Sequence, residues 1–580
     1  MLLVNVHQSS SDFFSHRLLV MKLKFILYAV AAMSALFASG VYGQSYAVTN
    51  ARIVTVSGGT IEKGTVVIRD GLIEAVGANV KVPSDAKTID GSGLTVYPGF
   101  FDTRTNLGLP APRPTGGPGG GPGGGPGGGQ AAAAAQQAQS AQSNSNYPVG
   151  LRPEDMVAED LQAGDAQFEA SRNAGFTTAV VVGRTGIFNG ESAIINLSGE
   201  NVSAMLLKSP AGLNISFATI PGRYPGSLLG TFSALRQMFY DAKRLQEANK
   251  IYAENPRGLK RPEADRSLEA LMPALNGQMP VVFNANREME IVRALNLARE
   301  FNLKAIIAGG QEAWMLAGRL KAENVPVLLS LNFPKRTAAA SPEADPENLE
   351  MLRFRAETPK TAARLAQAGV KFAFQSGGMT SLADFAANAK KAIDAGLGKD
   401  DAVRAMTLNG AEIFGLADRI GSIEQGKIAN LTIVKGELFA DGSAVSHIFI
   451  DGKHFEIKEQ PRREGRPGPG QGTGRRPPSS AANIGGIYSI TIDIPGQPMT
   501  GTLTFDQRDG AISGNMQTQL GTTPIRNGKA SDDGFDFVTT VEFGGQSMEI
   551  TVRGKVSGNQ VTGTIDSPQG SVGFTGSRAP

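Results

Sequence analysis

The 580-residue chain contains no cysteine. That excludes disulfides, thiolate metal sites, a cysteine nucleophile and a lipoprotein anchor. Histidine is nearly as scarce, with four residues in all: His7, His16, His447 and His454. A Ser-His-Asp arrangement therefore lacks the imidazole it would need. Excess charge is also small. The formal net charge of +3 gives no reason to expect nucleic acid. Much of the surplus sits in Arg462, Arg463, Arg466, Arg475 and Arg476, within a Pro/Gly-rich stretch. What remains is ordinary for soluble globular protein, 41% hydrophobic and 19% charged. The length exceeds one compact core, so two or three domains are expected.

The N-terminal region has the pattern of an export signal, expected over residues 1–43 together with an upstream extension. Met21-Lys22-Leu23-Lys24 supplies a basic start, Phe25 to Ala38 an apolar segment, and Val41-Tyr42-Gly43 a small-residue cleavage site before Gln44. The apolar segment is too short and too quickly ended for a spanning helix, so no stable membrane span is expected after cleavage. Met21 is the expected initiator, which would leave only His447 and His454 in the mature protein. The expected location is periplasmic or secreted.

Residues 46–97 read as short strands. Thr65-Val66-Val67-Ile68 and Leu72-Ile73-Glu74-Ala75-Val76 flank Asp70-Gly71, a hairpin signal. Such a half-sheet needs a partner, and one occurs near the other end: residues 421–434, then His447-Ile448-Phe449-Ile450. Between them, residues 98–409 alternate strand and helix signals. Ala179-Val180-Val181-Val182, Pro280-Val281-Val282-Phe283, Lys304-Ala305-Ile306-Ile307, Pro326-Val327-Leu328-Leu329 and Lys371-Phe372-Ala373-Phe374 suit parallel strands buried on both faces. Glu290 to Ala298 spaces Ile291, Leu295 and Ala298 along one helical face. The pattern alone suits a (β/α)8 barrel, with a doubly wound sheet as the competing arrangement.

Residues 111–147 form a Pro/Gly-rich and then Ala/Gln/Ser-rich insert that cannot bury enough apolar surface to offset its ordering entropy, so disorder is expected. It reads either as an expansion of a tolerant surface loop or as a flexible lid over the barrel mouth. Residues 461–482 form a second linker. Beyond it, residues 483–580 are almost wholly strand and turn. Tyr488, Ile490 and Ile492 alternate with polar residues, and Asp509-Gly510, Asn527-Gly528, Asp533-Gly534 and Gly544-Gly545 read as turns. This predicts a small antiparallel barrel or sandwich of about seven or eight strands, serving as an accessory binding or stabilising module.

Several motifs carry a family resemblance. Pro98-Gly99-Phe100-Phe101-Asp102-Thr103-Arg104-Thr105-Asn106 resembles the first barrel strand of the amidohydrolase superfamily, P-G-x-x-D-x-H-x-H. Asn173 to Ala179 looks like the A-G-x-T-T strand entry of its imidazolonepropionase- and prolidase-like members. Gly190 to Leu197 looks like their G-x-x-A-x-I segment, and Ala405 to Ala411 resembles their A-x-T-x-N-x-A helix. Gly421 to Leu431 resembles G-x-I-x-x-G-K-x-A-D-L, with Asn430 where aspartate is usual. The resemblance covers about Ala47 to Glu456. It implies a TIM-like (β/α)8 barrel over 98–409 and a composite β-sandwich from 44–97 and 410–460. It also implies hydrolysis of a non-peptide carbon–nitrogen bond or a dipeptide bond, using zinc or another divalent metal.

The positions that would hold that metal are substituted. The H-x-H pair is Arg104 and Asn106, the fifth-strand histidine is Asn284, the sixth-strand histidine is Ala308, and the last-strand aspartate is Gly377. Arginine does not deprotonate to coordinate a cation, and alanine and glycine offer no side-chain ligand atom. No metal cofactor is therefore expected, and the catalytic residues are unknown. The polar residues expected at the mouth are Arg104, Asn106, Asn284, Asn286, Arg287, Gln311, Glu312 and Gln375. They either satisfy one another in an inactive site or form a pocket in which Arg104 pairs a carboxylate and the amides read polar groups. Three functional readings remain. The first is a binding or partner subunit, a pseudoenzyme taking a small amide or peptide ligand or joining an active amidohydrolase paralogue. The second is a divergent metal-independent hydrolase, and the third a scaffold for a C-terminal binding domain.

Overall fold

The computed structural model describes residues 44–457 apart from 111–146, 149, 200, 220–224, 337–346 and 380. It also describes residues 484–578 apart from 493–498, 509–510, 520, 532–533, 544–545 and 568–569. The expected export signal, the linker and all but Tyr147 of the insert lie outside the described residues. No helix among the described residues is long and apolar enough to cross a membrane. The chain divides into two units, Met1–Arg462 and Arg463–Pro580.

The first unit begins with β1 (Tyr46–Val54), β2 (Thr60–Arg69), β3 (Leu72–Gly77), β4 (Lys87–Asp90) and β5 (Leu94–Pro98). Asp70 and Gly71 both take positive φ, 50° and 80°, as a two-residue hairpin between twisted strands requires.

The next eight strands form the sheet that would carry the site: β6 (Phe100–Thr105), β7 (Phe176–Val181), β8 (Phe188–Asn196), β9 (Leu206–Ser216), β10 (Val281–Ala285), β11 (Ala305–Gly309), β12 (Val327–Ser330) and β13 (Phe372–Gln375). They are ordered β13-β12-β11-β10-β9-β8-β7-β6, a nearly closed barrel in a mixed α/β unit. Its wall sorts side chains by strand alternation. Phe101, Val180, Val182, Val282, Ile306, Ala308, Leu328 and Ala373 form one cluster inside it. Phe176, Ala179, Val181, Phe283, Ile307, Leu329 and Phe374 belong to another that includes the helix residues Ile291, Leu295 and Phe385. The helix Leu408–Ile413 adds Ala411 to the inner cluster. Its Gly410 comes so close to β6 that a Cβ there would lie 2.8 Å from Thr103 Cγ2.

One barrel strand departs from the expected β/α alternation. β8, which carries the Gly190-to-Leu197 motif, is antiparallel to both β7 and β9. The reason lies in the connections. Only residues 182–187 separate β7 from β8, and a parallel return needs a crossover of about a dozen residues or more. β9 restores the parallel direction with β10, after a crossover holding the helices Leu228–Glu254 and Arg266–Leu275.

The chain then supplies β14 (Leu431–Lys435), β15 (Ala444–Ile450) and β16 (Lys453–Glu456). β14 pairs antiparallel with β5, so both chain flanks join in one eight-stranded sheet. Val48, Ile53, Val66, Ile68, Ile433 and Phe449 form its buried core.

The second unit is antiparallel throughout: β17 (Gly486–Ile492), β18 (Met499–Arg508), β19 (Ala511–Thr518), β20 (Gly521–Pro524), β21 (Arg526–Ser531), β22 (Gly534–Phe543), β23 (Gln546–Ser557), β24 (Gln560–Ser567) and β25 (Gly570–Arg578). β17 pairs with β25 and β18, and β18 also pairs with β19, so the sheet closes on itself around Tyr488, Leu503, Phe505, Phe537, Val561 and Phe574. Asn527-Gly528, expected to be a turn, instead lies inside β21, where the register with β22 slips. A Cβ on Gly528 would meet the Ile512 carbonyl, so the glycine serves a close strand approach.

Candidate functional site at the barrel mouth

Phe100 and Phe101 anchor β6, and the polar residues begin at Asp102. The Asp102 carboxylate accepts from the Ser376 amide at 2.9 Å and the Arg104 amide at 3.3 Å, and also contacts the Ser376 hydroxyl. Thr103 Oγ1 donates to the Phe374 carbonyl at 2.9 Å. These bonds join the first barrel strand to the end of the last. Burial pushes the Asp102 carboxyl up to about 6, and the hydrogen bonds from Ser376 act in the opposite direction.

Arg104 lies where the β6–β7 register slips between Asp102 and Thr105. Its Nη1 is buried and has no hydrogen-bond partner within the protein. Burial pulls the guanidinium down to about 10. Among the described residues no carboxylate offsets that shift, although a nearby anion would favour the charged form.

The remaining expected site residues fall into two groups. One group lies along the inner wall. Asn284 sits in register between Ser216 and Ala308, and Ala308 is part of the inner cluster. Gln375 is buried and donates from Nε2 to the Leu328 carbonyl at 2.8 Å. Asn106 is committed to structure, its Nδ2 donating to the Val182 carbonyl at 2.6 Å. The other group is at the rim beyond β10 and β11. The Glu290 carboxylate accepts from the amides of Asn286 and Arg287 at 2.8 and 3.1 Å. Glu312 accepts from Arg287 Nη1 at 2.8 Å and from the Glu288 amide at 2.8 Å. Arg287 in turn stacks on the Phe354 ring at 3.8 Å. Gln311 and Glu312 line a cavity of about 240 Å³ with Trp314, Met315, Phe354 and Thr358. Gln311 Nε2 donates to the Asn332 carbonyl at 2.8 Å.

Two residues of this region were not singled out in the sequence. Asn214 is 1% exposed and in register with inward Val282. Its Nδ2 donates to the carbonyls of Gly190 and Gly212, while its Oδ1 has no partner. A buried amide between Leu213 and Ile215 was a readable signal. Glu191 is pushed up to about 7 by burial, and its amide donates to the Asp155 carbonyl at 2.8 Å. Nothing in its spacing marked it.

The mouth does not suit a divalent metal. Arg104 brings a cation to the position of the first motif histidine, Ala308 offers no side-chain ligand atom, the amides of Asn106 and Gln375 are donating to carbonyls, and the Asp102 carboxylate is engaged with Ser376. At Gly377, a Cβ would lie 2.7 Å from Gln375 Oε1, so a side chain there would require the Gln375 amide to shift. Among the described residues, no three His, Cys, Asp or Glu side chains group so as to hold a metal.

The amidohydrolase family model matches residues 350–458. The chain is also similar to the crystal structure of an amidohydrolase from Thermotoga maritima MSB8, at 25% identity and a TM-score of 0.58. That match covers 71% of this chain and 100% of the other. Residues 350–458 thus carry an amidohydrolase-family signature, and the fold of the first unit is similar to that of an amidohydrolase. Other solved structures match with lower scores. A prolidase complexed with N-methylphosphonate-L-proline matches at 16% identity and a TM-score of 0.41, over 72% of this chain and 100% of the other. A Xaa-Pro dipeptidase with bound methionine matches at 15% identity and a TM-score of 0.42, over 71% and 100%. No curated protein sequence matches significantly.

Proposed function

We propose that this amidohydrolase-superfamily chain is an exported binding protein whose barrel mouth takes a small ligand bearing a carboxylate, without metal-assisted hydrolysis. The observation that carries this reading is Arg104, a guanidinium with a buried, unpartnered nitrogen and no carboxylate to balance it. An isolated buried charge is costly, and a bidentate carboxylate would relieve that cost. Asn284 and Asn214 lie on the same wall and supply neutral donors and acceptors for an amide group. The hydrolytic alternative lacks a nucleophile paired with a base, since the Asp102 carboxylate is engaged with Ser376 and Arg104.

The test is thermal denaturation of the purified protein with N-acetylproline and N-acetylalanine, each as the free acid and as the neutral amide. The acids should raise the melting temperature and the amides should not, with about 1.4 kcal/mol gained at a ligand concentration ten times Kd. Arg104→Met should abolish the response while remaining folded. A response equal for acids and amides, or retained in the variant, removes the carboxylate reading. Metal bound in stoichiometric amount within the barrel would remove the metal-free one. Co-purification of an amidohydrolase with an intact H-x-H pair would assign the chain a partner role instead. Export rests on residues 21–43, and N-terminal sequencing of the mature protein should begin at Gln44.

A further inference from the structure

The closed antiparallel barrel of the second unit carries an open groove of about 850 Å³ on its outer surface. Strand register shows how it is built. Gln560, Ser577, Ser489, Thr502 and Gln517 are successive cross-strand neighbours over β24, β25, β17, β18 and β19. A second row runs Thr562, Thr575, Thr491 and Thr500. These side chains alternate with Tyr488, Ile490, Leu503, Val561 and Phe574 of the barrel core, so they stand on the outside. Between the rows, Gly501 and Gly576 flank Ile490 and also line the groove, where they leave only backbone.

The groove lining contains no charged and no aromatic side chain. That is a local property. The row Lys529, Asp536, Arg553 crosses β21, β22 and β23, all three exposed, and Lys555 stands beside Thr562. Charge therefore covers one part of the barrel and stops where the groove begins. Hydroxyls and primary amides both donate and accept, which matches a ligand whose own groups do both. An ionic ligand would find no counter-charge, and an apolar one would strand the polar rows. Five strands at about 4.8 Å spacing span ~19 Å, a length for an extended oligomer rather than a single small molecule. β17, β18, β24 and β25 are each paired on both sides, so a peptide has no free edge there to extend as a strand.

We propose that this groove binds a neutral polysaccharide strand through its hydroxyl groups. The chemistry is that of an uncharged, polyhydroxylated chain laid across the five strands. It is independent of the barrel-mouth reading, because it rests on residues of the second unit alone.

The test is native affinity electrophoresis of the full chain in gels containing dextran, barley β-glucan, galactomannan, heparin or polygalacturonate, with mobility expressed relative to a gel without polymer. At least one neutral glycan should retard the protein by twofold or more, while the anionic polymers should not. Thr491→Lys should restore free mobility. Gln517→Lys, at the end of the row, provides the same readout should the first variant fail to fold, with circular dichroism confirming structure. Lys529→Ala, on the charged side, should bind as the parent does. Absence of retardation by every neutral glycan overturns the proposal, as does retardation only by anionic polymers or unchanged binding in both folded groove variants. Displacement of the glycan by a Ser/Gln-rich peptide at equal mass concentration would also overturn it, in favour of a peptide groove.

Discussion

At the scale of single residues, Arg104 carries a structural cost that the proposed carboxylate ligand would offset. Its Nη1 is buried without a partner, and its charge is disfavoured by burial alone. Replacing a poorly compensated buried charge by an apolar group of similar volume removes its desolvation penalty. Arg104 as a whole is half-buried, which makes that gain modest. Arg104→Met should therefore raise the ligand-free melting temperature by a few degrees, measured by calorimetry, as it abolishes the response to acids. A fall of several degrees would mean that the guanidinium has a compensating interaction and that the site needs no ligand to balance it. Gly377 shows the same logic in reverse. With Gln375 Oε1 2.7 Å from the place of its Cβ, the glutamine amide occupies space that a side chain at this position would need. How legible was the site? Arg104, Ala308 and Gly377 could be read from the sequence because their chemistry is incompatible with the motif positions they hold. Asn214 showed in the sequence only as a polar residue between Leu213 and Ile215; its significance comes from strand register and from an acceptor left unpartnered by packing.

At the scale of elements, continuous apolar runs located β7, β10, β11, β12 and β13, because a strand buried on both faces is apolar along its length. It could not give the direction of β8, since an antiparallel strand buried in the same way has the same composition. The length of the connection held that information. In the flanking sheet, His447 lies on β15 and His454 on β16. They are half-buried, and His454 Nε2 lies 3.1 Å from His447 Nδ1. His454 also stacks on Phe449 at 4.9 Å. Burial lowers both imidazoles, and the charges of His447 and Lys87 help bring His454 to about 4, against Glu456. A histidine whose folded pKa is depressed contributes stability that is full above its unfolded value, near 6.5, and lost as pH falls toward the folded value. Asp102 and Glu191 act oppositely. Burial raises them to about 6 and 7, so their contribution is lost as pH rises through those values. The parent stability profile therefore mixes both signs. The difference between parent and His454→Gln isolates one: the variant should lose less stability than the parent between pH 6.5 and 4, by denaturant unfolding. Parallel curves would show that the pair protonates without cost in the folded sheet.

At the scale of the whole molecule, the chain divides after Arg462, and each unit has buried cores of its own. The second core is built from Tyr488, Phe505, Phe535, Phe537, Phe574 and the aliphatic residues between them, with no disulfide to assist it. Residues 463–580 expressed alone should accordingly fold and melt cooperatively, since a domain of about this size can bury a sufficient core. The intact chain offers an independent check because its single tryptophan is Trp314, in the first unit. Arg364 lies over that indole at 3.9 Å, so its emission should follow loss of packing at the barrel rim. Far-ultraviolet circular dichroism should instead follow both units. In guanidinium chloride, tryptophan emission should then trace one transition while dichroism traces two, the second coinciding with that of the isolated fragment. Coincident single transitions by both probes, together with an unfolded fragment, would mean that the second barrel depends on the first. The polysaccharide groove would then have to be tested only in the intact chain. A folded fragment would allow glycan binding to be measured on it directly, separated from any ligand at the barrel mouth.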